Sequence, residues 1–215
     1  MDNSPSQVTV AIILAGGNST RMGQDKALLT WHNTCLLRET CLKALALTDQ
    51  VYVVTPWGER YEPLLPSGCS ILPEDRETNA PGPLVAFAQA IAKLPPLTGW
   101  ALLLACDLPY MTVTPLPPIP PLSDLAPNIV AVLPQGKKGW EPLCGLYRLD
   151  RLDNLQQFVR QGGRSFQRWL ATEAVMPWPF TTPKLLDNCN TPTDWQRFQK
   201  DLNQSIIVDV DGKNF

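Results

Sequence analysis

The sequence predicts a doubly wound α/β fold, in which a mostly parallel sheet carries helices on both faces. Three observations lead there. The stretch Val8–Leu14 reads VTVAIIL, β-branched and almost wholly apolar, as a strand buried on both faces of a parallel sheet must be. A glycine-rich turn follows at once. Beyond it, strand-like runs alternate with helical patterns, which right-handed crossovers gather into one sheet.

In chain order, residues 34–47 place Leu, Ala and Cys at three- and four-residue spacing and predict a helix. Residues 50–55 (QVYVVT), 69–72 (CSIL) and 100–106 (WALLLAC) predict strands, with a second helix over 84–94 between the last two. Residues 109–127 contain seven prolines and no continuous helical stripe, so an extended loop or a fragment of helix is expected. Ile129–Leu133 (IVAVL) and 143–147 then read as strands. Residues 151–161 and 165–172 read as helices, and Thr191-Pro192 opens a last one, with proline at its first turn. No internal repeat is evident. The expected organisation is one domain over residues 1–202 and a tail over 203–215, where SIIVDVDGKNF either pairs as an edge strand or stays disordered.

Composition excludes several classes. With 215 residues a single core is the best expectation. The hydrophobic fraction of 44% is ordinary, and no apolar run is long enough to cross a bilayer. The polar start MDNS has no export signal, so a cytoplasmic protein is expected. Six scattered cysteines without a Cys-x-x-Cys pair read as reduced core thiols. A net charge of −2 without like-charge runs argues against nucleic acid and anionic membrane as partners. The single histidine, His32, rules out a multi-histidine zinc site and reads as a surface or helix-start residue.

Ligands of such sheets bind beyond the carboxyl ends of the strands. The residues after the first strand, LAGGNSTRMGQDKALL, are chemically unusual. Gly16 and Gly17 allow a tight turn whose amide groups can face an anion, and Arg21 and Lys26 add positive charge. A Walker A loop is excluded, because five residues separate Gly17 from Gly23 and Ala27 follows Lys26. The dinucleotide fingerprint Gly-x-Gly-x-x-Gly is absent too.

This stretch resembles the L-A-G-G-x-S-x-R-M-G-x-D-K-x-L-L motif of the molybdenum cofactor guanylyltransferases, within the Rossmann-like nucleotidyltransferases. Leu14, Ala15, Gly16, Gly17, Arg21, Met22, Gly23, Asp25, Lys26, Leu28 and Leu29 match it. DRETNAPGPL, LLACDLP, EPLCGLYR and NCNTP follow in the family's order over nearly the whole chain. The resemblance implies transfer of GMP from GTP to the phosphate of molybdopterin, with release of pyrophosphate. It implies that Asp107 holds Mg²⁺, or Mn²⁺, that Lys26 contacts the phosphates, and that Lys26, Arg21 and Asp107 form the catalytic set. Leu14, Ala15, Gly16, Gly17, Thr55 and Asp75 would bind the nucleotide, and Gly82, Pro83, Asn188 and Asn190, with Arg21, the molybdopterin side. Molybdenum-insertion proteins and apo-molybdoenzymes or their chaperones are the implied protein partners. Two departures stand out: Thr55-Pro56 replaces an asparagine that the family often carries, and the proline-rich segment replaces a plain helix.

Physical chemistry fits that reading. An anionic phosphate oxygen needs no general base, so alignment and charge neutralisation suffice. An aspartate fixed at the end of a buried strand suits a hard cation. Lysine neutralises as a compact charge, and arginine grips phosphate bidentately. Plainer roles stay open: Asp107 as a turn starter, the two cations as surface charge, Asn190 as a helix cap. A cytidylyl or sugar-phosphate transferase on the same fold, or a GTP-binding delivery module without catalysis, is the alternative.

Overall fold

The computed structural model describes residues 8–17, 22–31, 33–75, 82–136, 139–180 and 183–210. Its elements are β1 (Val8–Leu14), the short hairpin β2 (Thr30–Trp31) and β3 (Thr34–Cys35), α1 (Leu36–Leu45), β4 (Val51–Thr55), α2 (Gly58–Tyr61), β5 (Cys69–Pro73), α3 (Pro83–Lys93) and β6 (Trp100–Ala105). There follow α4 (Pro109–Val113), β7 (Ile129–Leu133), the hairpin β8 (Gln135–Gly136) and β9 (Gly139–Trp140), β10 (Cys144–Arg148), α5 (Asp153–Arg160), α6 (Phe166–Leu170), β11 (Ala174–Pro177) and α7 (Pro192–Val210).

Seven strands form the central sheet in the order β11-β7-β10-β6-β1-β4-β5. All neighbours pair in parallel except β10, which runs antiparallel to both β6 and β7. The register puts Ile12 beside Leu103 and Tyr52, and Ile13 beside Leu104 and Val53. Successive side chains of a strand leave by opposite faces. Ile13, Val53 and Leu104 therefore join a core with Leu36, Leu37 and Phe198, while Ile12, Val54 and Leu103 join a second with Phe87, Tyr147 and Trp169. Helices cover both faces, which is why β1 reads as a continuous apolar run.

Three sequence expectations change. The stretch up to Val210 is not the edge strand that its alternation suggested: α7 runs from Pro192 to that residue. Its alternating apolar residues do not outweigh a helix already nucleated at Pro192. The sequence did not signal β11, a four-residue edge strand ending in proline, nor the two small hairpins. The predicted helix over 34–47 begins only at Leu36, because Thr34 and Cys35 pair with β2. The proline-rich stretch behaves as expected, with α4, one 3₁₀ turn at Leu122–Asp124 and extended chain between them. All six cysteines are free thiols, and only Cys69 is not buried. No described helix is long and apolar enough to cross a membrane.

Candidate active site

A cavity of about 260 Å³ opens at the carboxyl ends of β1, β4 and β6. The chain turns from β1 into it through Ala15, Gly16 and Gly17, and β6 reaches it through Ala105, Cys106 and Asp107. Gly16 has a steric reason to be glycine: a Cβ added there would overlap the Glu74 carboxylate, which leans across the turn. Gly82 has a conformational one, with φ +80° at the start of α3, so that the N-terminus of this helix faces the cavity through Gly82, Pro83 and Ala86. That helix end contributes the positive pole of its dipole.

Lys26 sits on a 3₁₀ turn, Lys26–Leu28, that is built to hold it. Asp25 caps the turn, its Oδ1 accepting from the Ala27 amide at 3.1 Å. Its Oδ2 accepts from the buried Tyr61 hydroxyl at 2.7 Å and faces Arg60 at 3.1 Å. Burial, then the bond to Asp25, pushes the Tyr61 hydroxyl well above the usual phenol range, so it remains a donor. The Lys26 ammonium reaches Asp107 Oδ2 at 3.4 Å, with side chains 17% and 24% exposed. Surface ion pairs are worth about 0–1 kcal/mol, so the contact matters for where it puts the ammonium.

A late turn of the chain joins this pair. The Cys189 amide donates to the Asp107 carbonyl at 2.8 Å, and Asn190 Oδ1 accepts from Lys26 at 2.6 Å. The turn is fixed by a capping box: Thr191 Oγ1 accepts from the Asp194 amide at 3.2 Å, and Asp194 Oδ2 accepts from the amides of Asn190 and Thr191. Those bonds, the Thr191 hydroxyl foremost, hold the Asp194 carboxyl below the usual range. Asn190 thus caps with its backbone and serves the site with its side chain.

The structure brings together Leu14, Ala15, Gly16, Gly17, Lys26, Gly82, Pro83 and Asp107 around one cavity, with Asn190 on Lys26. Asn190, expected on the molybdopterin side, thus lies 2.6 Å from Lys26, expected at the nucleotide phosphates. Asn188 is exposed on the same turn. Arg21 and His32 lie outside the described residues.

Two predicted residues lie apart from the cavity lining. Thr55 is fully buried behind the turn, where its hydroxyl donates to the Ala15 carbonyl at 3.2 Å and accepts from the Trp57 amide. Asp75 pairs outward with Lys93 at 2.8 Å. Its neighbour Glu74 lines the cavity instead. The Glu74 amide donates to the Thr55 carbonyl at 3.1 Å, which carries the β4–β5 pairing one residue further. Alternation along the strand then sends consecutive carboxylates in opposite directions. Sequence reading also passed over Asp25 and Leu143. Asp25 stood inside the motif without a role, and Leu143 reaches the cavity because β10 runs antiparallel, so its start lies beside the end of β6, where Leu143 O accepts from the Ala105 amide.

A glycine turn after β1, a lysine on the 3₁₀ turn beyond it and an aspartate after β6, on a sheet with one reversed strand, fit a nucleotidyltransferase. The chain belongs to the MobA-like NTP transferase family, whose domain model matches residues 11–175. It is 50% identical to a Nostoc protein named "probable molybdenum cofactor guanylyltransferase", across 86% of this chain and 87% of that one. A Synechococcus elongatus protein of the same name is 43% identical across 88% and 97%. Among solved structures, molybdopterin-guanine dinucleotide biosynthesis protein A from Archaeoglobus fulgidus superposes with a TM-score of 0.65 at 20% identity, covering 91% of this chain and 100% of that one, a likeness of fold.

Proposed function

We infer that the protein transfers GMP from GTP to the terminal phosphate of molybdopterin and releases pyrophosphate. The names of its relatives support the substrates. The observation that carries the chemistry is Lys26 at 3.4 Å from Asp107 beside the glycine turn.

The β1 turn and the start of α3 would bind the triphosphate, their amides and the helix pole facing an anion. Lys26 would neutralise charge at the phosphates, held in place by the Asp25 cap. The acceptor phosphate is already anionic, so no residue has to take its proton. Asp107 Oδ1 is buried with no hydrogen-bond partner among the described residues, which fits a hard-oxygen ligand waiting for a cation. Among the described residues no three carboxylate, cysteine or histidine side chains cluster as a metal site. A single carboxylate suits Mg²⁺, or Mn²⁺, because such ions keep water and phosphate oxygens as their other ligands. When bound, the ion would offset negative charge on the triphosphate. Glu74 lines the cavity where Asp75 does not, and its carboxylate would accept from the N–H groups that guanine presents and cytosine lacks in that arrangement.

Catalysis in the cytoplasm, with delivery of the product to molybdenum-insertion proteins, apo-molybdoenzymes or their chaperones, completes the reading. The test is pyrophosphate release with purified protein, Mg²⁺, molybdopterin and either GTP or CTP. Release that requires molybdopterin and favours GTP is expected. Preference for CTP would assign a cytidylyltransferase, and binding without release would assign a delivery module.

A further inference from the structure

The late turn that carries Asn190 reaches the cavity through Lys26, and so holds the same ammonium that the triphosphate would need. Lys26 contacts both the nucleotide-side carboxylate Asp107 and Asn190 on the late turn. The Asn190 side chain is exposed, while its backbone is pinned by Asp194, so its amide can turn without disturbing α7. An ammonium prefers a phosphate oxygen to a neutral amide oxygen, since a bond between two charged groups is the stronger one.

We propose that the Lys26–Asn190 hydrogen bond is a latch that couples the two substrates: GTP draws Lys26 onto its phosphates and so frees the Asn190 amide for the phosphate-bearing acceptor. The identity of that acceptor rests on the function proposed above. In the free protein the latch occupies both groups, and each substrate binding alone must break it. Whichever arrives first bears that cost, and the second binds more tightly. Coupling of this kind is reciprocal by thermodynamic necessity. It also keeps the acceptor subsite poorly formed until a nucleotide is present, which favours productive ternary complexes.

The experiment measures equilibrium binding of Mg²⁺ with α,β-methylene-GTP, and of molybdopterin with and without that analogue, to the full-length protein and its variants. Asn190→Ala keeps the backbone amide that Asp194 holds, so the fold should stand, with circular dichroism as the check. The latch predicts that Asn190→Ala binds the analogue more tightly, by about five-fold, at the low end of usual couplings between sites. In a Lys26→Ala background the same substitution should change nothing, because there is no latch to remove. Molybdopterin should bind wild type about five-fold more tightly with the analogue than without it, and should bind Asn190→Ala equally in both cases. Unchanged or weaker analogue binding by Asn190→Ala overturns the latch, as does coupling of undiminished size in that variant. Failure of the latch with normal pyrophosphate release leaves the proposed reaction standing. Failure of molybdopterin to bind at all overturns the acceptor assignment and the coupling together.

Discussion

Lys26 Nζ and Asn190 Oδ1 lie 2.6 Å apart although 164 residues separate them in the chain. The contact ties the turn before α7 to a cavity lined by the β1 turn and the end of β6. Because Asp107 is joined to the same lysine and, through its carbonyl, to Cys189, any change in one of these segments should be felt in the others.

Lys26→Ala should lower kcat by roughly two orders of magnitude, the usual cost of removing one charge-stabilising donor from a transfer site. Steady-state kinetics decide it. An effect on KM alone would show that Lys26 binds ground state and transition state equally.

Asp107→Asn should fold normally and lose turnover at saturating Mg²⁺, because the shape is kept while the charge that a cation needs is removed. Its buried Oδ1 would become one end of an amide in a space with no partner for it among the described residues. Near-wild-type turnover would mean that the ion is held elsewhere.

Gly16→Ala should move the Glu74 carboxylate off the turn, at little cost in stability because that carboxylate is the end of a flexible side chain, and should weaken binding of the GTP analogue if Glu74 contributes to it. Shortening the intruding side chain with Glu74→Ala should not restore guanine preference, whereas it should relieve the overlap, so a panel of GTP and CTP analogues separates steric from recognition effects.

Asp194→Asn should cost about 1 kcal/mol of stability at neutral pH, the size of a lost helix cap. The native carboxyl titrates below its unfolded value, so its stabilisation is complete above the ordinary aspartate pKa of about 4 and disappears as pH falls through the lower native value. Denaturant melts of the two proteins should therefore diverge at neutral pH and converge in acid. A difference independent of pH would assign the loss to shape instead of charge.

Thiol labelling of the native protein should modify Cys69 first, as the one cysteine that is not buried. Burial pushes Cys189 up to about 11, and Cys106 and Cys144 further, so these should react only on unfolding. Early labelling of Cys106, beside Asp107 in the cavity, would show that the site opens.

The fold was largely legible because its signals are local. VTVAIIL and WALLLAC announce doubly buried strands by composition, and the spacing of Leu84, Phe87 and Ile91 announces α3. Lys26 and Asp107 were legible for a related reason: each falls in a connection that leaves the carboxyl end of a buried strand, where this architecture binds ligands. The helical course of α7 beyond residue 202 was not legible, because IIVDV has a strand-like alternation that a helix entered from Pro192 overrides.

By itself the sequence determined which strands would be buried, where the glycine turn would sit and that Lys26 and Asp107 would follow buried strands. These follow from periodicity and from glycine and proline chemistry, and each depends on a few neighbouring residues. Only the tertiary structure decided that Glu74 and not Asp75 turns toward the cavity, that Thr55 stands behind the turn it was expected to line, and that Asn190 reaches Lys26. Those facts depend on register between β4 and β5, on the reversal of β10 and on the return of the chain after β11, and such long-range pairings are set by the packing of two apolar faces, which no local run of residues encodes.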